Sequence, residues 1–211
     1  MHSLREKHCP KLLCWVLSIL LIVVALLWHY LLEPWGFYRA ADEPEAFVRM
    51  QTVAAAETYL GCQESDGSHK KIIDLYNSHE PLALGYQVQY TDSWCAAFVS
   101  AVAIEQSLTD IIPTECGCER QIALWMELGQ WQEQDSYIPQ PGDLIYYDWD
   151  ATVPGDCTGW SDHVGMVAGI KWPFLKVIEG NKDDMVTYRI LLADDISIRG
   201  FGLPDYHRKL R

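Results

Sequence analysis

The chain has 211 residues, of which 49% are hydrophobic and 21% are charged, as expected for one globular domain with a small addition. Part of the apolar content lies in one run near the N-terminus, and the rest is acidic: residues 34–211 carry a net charge of −14. This part has no basic stripe that could release counterions from phosphate, so the composition argues against a nucleic-acid partner.

The first predicted element is a membrane-spanning helix over Leu12–Leu32, a run of 21 residues without Asp, Glu, Lys or Arg. At about 1.5 Å per residue, such a helix is roughly as long as the hydrocarbon layer of a bilayer is thick. Basic residues precede the run at Arg5, Lys7 and Lys11, and acidic residues follow it, so the positive-inside rule predicts a cytoplasmic N-terminus. A cleaved signal peptide is the alternative, although its apolar region would span only about 7–15 residues.

These features divide the chain into three predicted parts. Residues 1–33 form a cytoplasmic N-terminus and a transmembrane signal anchor, residues 34–49 a juxtamembrane linker, and residues 50–211 an exported domain. The expected location is therefore the cell membrane, with a single pass and the domain on the extracellular side.

In the exported part, helical patterns come first and strand patterns second, which favours an α+β fold of N-terminal helices packed on an antiparallel sheet. Apolar residues at helical spacing predict four helices, over 44–61, 70–77, 94–106 and 120–128. Beyond a turn at Pro139–Gly142, four strands are predicted, over 144–147, 164–170, 175–179 and 186–191.

Five of the seven cysteines lie in the predicted exported part: Cys62, Cys95, Cys116, Cys118 and Cys157. An odd number in an oxidising compartment leaves at least one thiol free or paired elsewhere. If Cys95 is free, three pairings of the other four are possible, and a Cys116–Cys118 link would be strained. We therefore expect a disulfide that joins Cys62 or Cys157 to Cys116 or Cys118.

Cys95 is the candidate nucleophile. It follows Ser93, a plausible N-cap, at the start of the predicted helix 94–106, and a helix N-terminus favours a thiolate over a thiol. His163 begins a predicted strand and is the candidate base, because an imidazole can accept the thiol proton and return it to a leaving amine. Taken alone, each residue is better explained by a structural role, and it is the combination that favours catalysis.

Glu179 and Asn181 complete the candidate site. If residues 163–169 and 174–181 form an antiparallel hairpin centred on Lys171, His163 stands directly opposite Glu179, with Cβ atoms about 5 Å apart. Asn181, two residues on, projects from the same face. The carboxylate would orient the imidazole and stabilise its charged form.

Five stretches, in this order, resemble the motifs of CHAP domains, the cysteine, histidine-dependent amidohydrolases/peptidases. They are the nucleophile helix Tyr90–Ser100, the turn and strand Pro141–Ile145, the histidine strand Asp162–Val167, the Glu-x-Asn element Glu179–Asn181 and the closing segment Arg199–Pro204. The resemblance covers roughly residues 50–206 and implies a papain-like α+β fold. Cys116, Cys118 and Cys157 are departures from the family pattern.

The resemblance also implies an activity, hydrolysis of peptidoglycan amide bonds through a thioester acyl-enzyme. It assigns Cys95 as nucleophile, His163 as base, Glu179 as orienting acid and Asn181 as a further polar group of the active site. Backbone N–H groups near Cys95, with Gln89, would hold the oxyanion. We expect no metal or other cofactor, and peptidoglycan or a cell-wall peptide as substrate. Another exported peptide substrate, or an inactive module that binds cell wall or a membrane complex, are the alternatives.

Overall fold

A long apolar helix, α1, spans Pro10–Leu32 at the start of the described chain. The computed structural model describes residues 10–36, 43–133, 136–152 and 159–210. Within α1, the stretch Cys14–Leu32 has a mean hydropathy of 2.4 and is long and apolar enough to cross a membrane. A signal sequence near an N-terminus would have the same character.

The chain divides into two compact units, Met1–Pro34 and Trp35–Arg211, and the second contains all the other helices and strands described. Its helices are α2 (Glu43–Glu57), α3 (Lys70–Asn77), α4 (Cys95–Glu105) and α5 (Cys118–Glu127). Its strands are β1 (Trp131–Gln132), β2 (Leu144–Tyr147), β3 (His163–Lys171), β4 (Phe174–Lys182), β5 (Met185–Leu192) and β6 (Ile198–Gly202). The architecture is thus α+β, as the order of patterns predicted.

All six strands form one antiparallel sheet in the order β1-β6-β2-β3-β4-β5. The helices cover one face, where the larger core packs α4 side chains such as Phe98 against β3 and β4. A smaller core, including Tyr147 and Val177, lies on the opposite face. Helix α4 is buried at every position from Cys95 to Ala103, because Ala and Val let it lie close against the sheet.

The folded unit begins earlier than the predicted boundary at residue 50. Arg49 on α2 donates hydrogen bonds to Glu45 (2.7 Å) and to the fully buried Asp143 (2.8 Å) just before β2. Gly36 pairs with Ile170 on β3. Much of the predicted linker 34–49 therefore belongs to the folded unit, and its buried charges are paired as buried charges must be.

The hairpin of β3 and β4 has a different register from the one predicted. Gly165, and not His163, pairs with Glu179, since the turn falls at Trp172–Pro173 and the register shifts by one residue near Ala168. Strands β1 and β6 lie outside the predicted set. Strand β6 lies between β1 and β2 in the sheet, so β1 and β6 pair with residues that are distant in sequence. A local sequence pattern does not reveal such pairing.

Candidate active site

Cys95 is the first residue of α4 and is 6% exposed. The residue at the N-cap is Trp94, whereas the sequence favoured Ser93, and no side-chain hydrogen bond caps the helix there. The N–H groups of a first helical turn have no partners within the helix, so they remain available to an anion beside Cys95. The partial positive charge of the helix terminus acts on the same group.

His163 is the first residue of β3 and is 9% exposed. Its ring stacks on Tyr147 of the neighbouring strand β2, with ring centroids 5.9 Å apart. Nε2 of the ring lies 3.2 Å from Oε2 of Glu179. With Nε2 engaged by the carboxylate, Nδ1 is the nitrogen that remains to exchange a proton with Cys95.

Glu179 is fully buried and reaches His163 along a diagonal of the sheet. Gly165 makes this possible, because it stands directly opposite Glu179 and has no side chain. A Cβ at Gly165 would lie 2.8 Å from Cγ of Glu179 and 2.6 Å from Cγ1 of Val177. The glycine thus leaves the space that the carboxylate side chain crosses to meet the imidazole.

We call Cys95, His163 and Glu179 together the relay. A fourth group, Arg189 on β5, contacts the relay through Glu179. Its Nε donates a 2.7 Å hydrogen bond to Oε1 of Glu179, so both carboxylate oxygens are occupied. The guanidinium also lies over the rings of Trp149 (4.8 Å) and Tyr147 (5.4 Å). Sequence reasoning missed Arg189, although an arginine inside the apolar strand 185–192 was a signal that a buried carboxylate lay near.

These contacts favour the charged forms of the pair. A hydrogen bond from Cys118 outweighs burial and, together with the hydrogen bond and charge of His163, holds the pKa of Cys95 well below its usual range. Burial disfavours the imidazolium, but the hydrogen bonds with Cys95 and Glu179 outweigh it and raise the pKa of His163 to about 9. Both shifts favour a thiolate beside an imidazolium.

A second thiol lies against the candidate nucleophile. Sγ of Cys118, the first residue of α5, is 3.8 Å from Sγ of Cys95, and Cys118 is 8% exposed. The N-termini of two helices thus converge on one pair of sulfur atoms. The hydrogen bond to Cys95, with burial, holds the pKa of Cys118 well above its usual range, which favours Cys118 as the donor of this hydrogen bond.

The predicted disulfides are not formed by the described cysteines. Cys62, Cys95, Cys116 and Cys118 are all free thiols, so Cys62 is linked to neither Cys116 nor Cys118. Cys157 lies outside the described residues. The sequence argument weighed Cys118 as a disulfide partner, and nothing in the local pattern indicated its contact with Cys95.

Two further predicted residues are not joined to the relay. Asn181 lies on β4 with φ of +57°, where the pairing with β5 is irregular, and among the described residues its side chain makes no hydrogen bond to His163 or Glu179. The alternation that put it on the face of Glu179 is therefore interrupted. The amide of Gln89 donates to the Gln87 carbonyl (2.8 Å), and the oxyanion role expected for Gln89 stays a prediction.

A cavity of about 260 Å³ opens beside the two thiols. Its lining combines sulfur, acidic, basic and aromatic side chains: Cys95, Cys116, Cys118, Glu119, Arg120, Trp160 and Asp162. A second hollow of about 420 Å³ shares Ser93, Cys116 and Arg120 with it. The shared lining indicates a groove that leads away from Cys95.

Comparison with known proteins identifies no relative of this chain. No protein-family model, no curated protein and no solved structure matches it.

Proposed function

We propose that the protein is a cysteine amidohydrolase or peptidase of the CHAP type. The observation that carries this proposal is the buried relay from Cys95 through His163 to Glu179, whose carboxylate has no exposed surface. Burying a carboxylate and an imidazolium together costs several kcal/mol before pairing, about as much as a small domain can lose. Activation of a nucleophile is a function that explains why such a buried charged pair is present.

The proposed reaction begins with attack of the Cys95 thiolate on an amide carbonyl carbon. The negative charge that develops on the carbonyl oxygen would be held by N–H groups at the start of α4. His163 then gives its proton to the leaving amine, which departs and leaves a thioester on Cys95. Water, deprotonated by the now neutral imidazole, attacks the thioester, releases the acid and restores the Cys95 thiolate beside the His163 imidazolium. Glu179 keeps the ring oriented throughout and stabilises its charged form.

The proposed substrate is peptidoglycan, cut in the stem peptide, in the cross-bridge or between muramic acid and alanine. Two exposed tryptophans border the site: Trp160, 73% exposed, lines the cavity beside Cys95, and Trp149 is 45% exposed above His163. Flat, partly exposed aromatic faces suit contact with a sugar ring as well as with a peptide. Anchoring by α1, with a single pass and the domain outside the cell, would hold the enzyme near such a substrate.

The test is release of soluble fragments from purified peptidoglycan by the full-length protein in detergent, identified by mass spectrometry. We expect new amine and carboxyl termini at one kind of amide bond, and loss of roughly three decades of rate in Cys95→Ala. Cys62→Ala is the matched control, since Cys62 is also a buried free thiol but does not line the cavity beside Cys95.

Two outcomes would contradict the proposal. If Cys95→Ala still cleaves peptidoglycan, Cys95 is not the nucleophile. Binding of peptidoglycan without release of soluble fragments would favour the inactive binding module. Cleavage of unrelated peptides at similar rates, with none of peptidoglycan, would retain the cysteine hydrolase but replace its substrate.

A further inference from the structure

The second thiol, Cys118, forms no covalent bond in the proposed hydrolysis. A hydrolytic mechanism needs one cysteine, yet two lie 3.8 Å apart at the start of two different helices, each less than one-tenth exposed. Neither of the other described cysteines of this unit is placed in this way. Cys62 does not line the cavity beside Cys95, and the sulfur of Cys116 accepts a hydrogen bond from Arg120 at 3.4 Å.

We propose that Cys95 and Cys118 form a site of reversible oxidation, in which a low-molecular-weight disulfide converts the two thiols into an intramolecular disulfide. The bond would occupy the sulfur of Cys95 and block its attack on any substrate. Reduction by a small thiol would restore both groups. This inference concerns the two sulfur atoms only and does not depend on which bond, if any, the protein hydrolyses.

The geometry requires a small displacement. A disulfide is about 2.05 Å long, so the two sulfur atoms must approach by roughly 2 Å, a distance within reach of side-chain rotation and a slight adjustment of the helix ends. Both side chains line the 260 Å³ cavity, and a small disulfide can meet them there. Cys95 is the sulfur that attacks first, because the thiolate is the reactive form.

The steps balance in atoms and electrons. The Cys95 thiolate attacks one sulfur of the small disulfide RSSR, forms a mixed disulfide and expels RS⁻. Cys118 passes its proton to that RS⁻, attacks the Cys95 sulfur and expels the second RS⁻, which takes a proton from His163 or from solvent. The two cysteines lose two electrons, and RSSR gains them to become two RSH.

Glutathione disulfide is the probe for the test, applied to the full-length protein in detergent under non-reducing conditions. Intact mass and peptide mapping of the wild-type protein should show a Cys95–Cys118 cross-link and little retained glutathione. In Cys118→Ser the second step is impossible, so a glutathione adduct should remain on Cys95, at about ten times the wild-type occupancy or more. Cys116→Ser is the matched control, since Cys116 lines the same cavity, and it should behave as the wild type.

Three results would overturn the proposal: a stable glutathione adduct on Cys95 in the wild-type protein, a cross-link from Cys95 to any other cysteine, or no reaction of Cys95. Circular dichroism establishes whether Cys118→Ser is folded, and Cys118→Ala takes its place if it is not. Because the readout is mass, failure of this proposal leaves the peptidoglycan assay unaffected, and the reverse also holds.

Discussion

At the scale of single residues, the candidate site is governed by one imidazole between a sulfur and a carboxylate. His163 keeps its proton because Glu179 accepts a hydrogen bond from one ring nitrogen and Cys95 supplies negative charge on the other side. Arg189 prevents Glu179 from turning away, since it occupies the second carboxylate oxygen. The charge on each member thus depends on its neighbours, which makes the pH dependence of activity informative.

Activity should fall as pH rises through about 9, the raised pKa of His163, because the imidazolium loses its proton there. Glu179→Gln removes the negative charge that stabilises the imidazolium, so this alkaline limb should move to lower pH by about one pH unit or more. Turnover should also fall, by roughly a hundredfold. Initial rates measured over a pH series give both quantities.

The control for this change is Glu57→Gln on α2, whose carboxylate bonds the Tyr188 hydroxyl and lies outside the relay. It should leave the alkaline limb in place. An unmoved limb in Glu179→Gln would mean that Glu179 is a structural acid.

Asn181 has a backbone conformation that a β-carbon disfavours, with φ of +57°. Asparagine and glycine tolerate this region better than alanine, so Asn181→Ala should destabilise the folded protein by about 1 kcal/mol while Asn181→Gly leaves its stability nearly unchanged. Denaturant unfolding of the two variants measures the difference. If both variants keep their stability and both lose turnover, the Asn181 side chain acts in the reaction, as the family resemblance implied.

At the scale of elements, the site depends on how closely β3, β4 and α4 approach one another. Two glycines set these distances. Gly165 leaves room for Glu179 to cross toward His163, and a Cβ at Gly180 would lie 2.4 Å from Cβ of Phe98 on α4. Because these two positions lack a side chain, helix α4 and strands β3 and β4 can approach closely enough for Cys95 to meet its partners.

Gly165→Ala should disrupt the relay while the sheet persists. The added methyl group would displace Glu179 from His163, so turnover should fall by about tenfold or more and the alkaline limb should move to lower pH, as in Glu179→Gln. Gly169→Ala is the matched control on the same strand, because its methyl group would meet Trp35 at 2.7 Å and not the relay. Equal kinetics of the two variants, both folded by circular dichroism, would exclude this role for Gly165.

At the scale of the whole molecule, an apolar helix of 23 residues precedes an acidic folded unit. We propose that α1 remains as an anchor, with the N-terminus in the cytoplasm. A protease added to intact cells should then remove a C-terminal epitope tag and spare an N-terminal one, and both tags should be lost after permeabilisation. A mature protein that begins near Ala41 would instead establish α1 as a cleaved signal sequence.

The sequence by itself determined the elements whose patterns are local. The apolar run of α1, the small-residue helix beginning at Cys95 and the strand beginning at His163 were all predicted within a few residues of their observed bounds. Each is determined by contacts between neighbours in the chain and by the period of its apolar residues. Cys95, His163 and Glu179 were candidates on the same grounds and on the family resemblance.

Only the tertiary structure decided which of these residues meet. The predicted hairpin put His163 opposite Glu179, whereas the shift near Ala168 makes them diagonal neighbours across Gly165. Arg189 and Cys118 enter the site from β5 and α5, elements whose packing against the site no periodicity encodes. The reason is physical: local patterns state which face of an element is buried, but the partner it is buried against is selected by the packing of the whole chain.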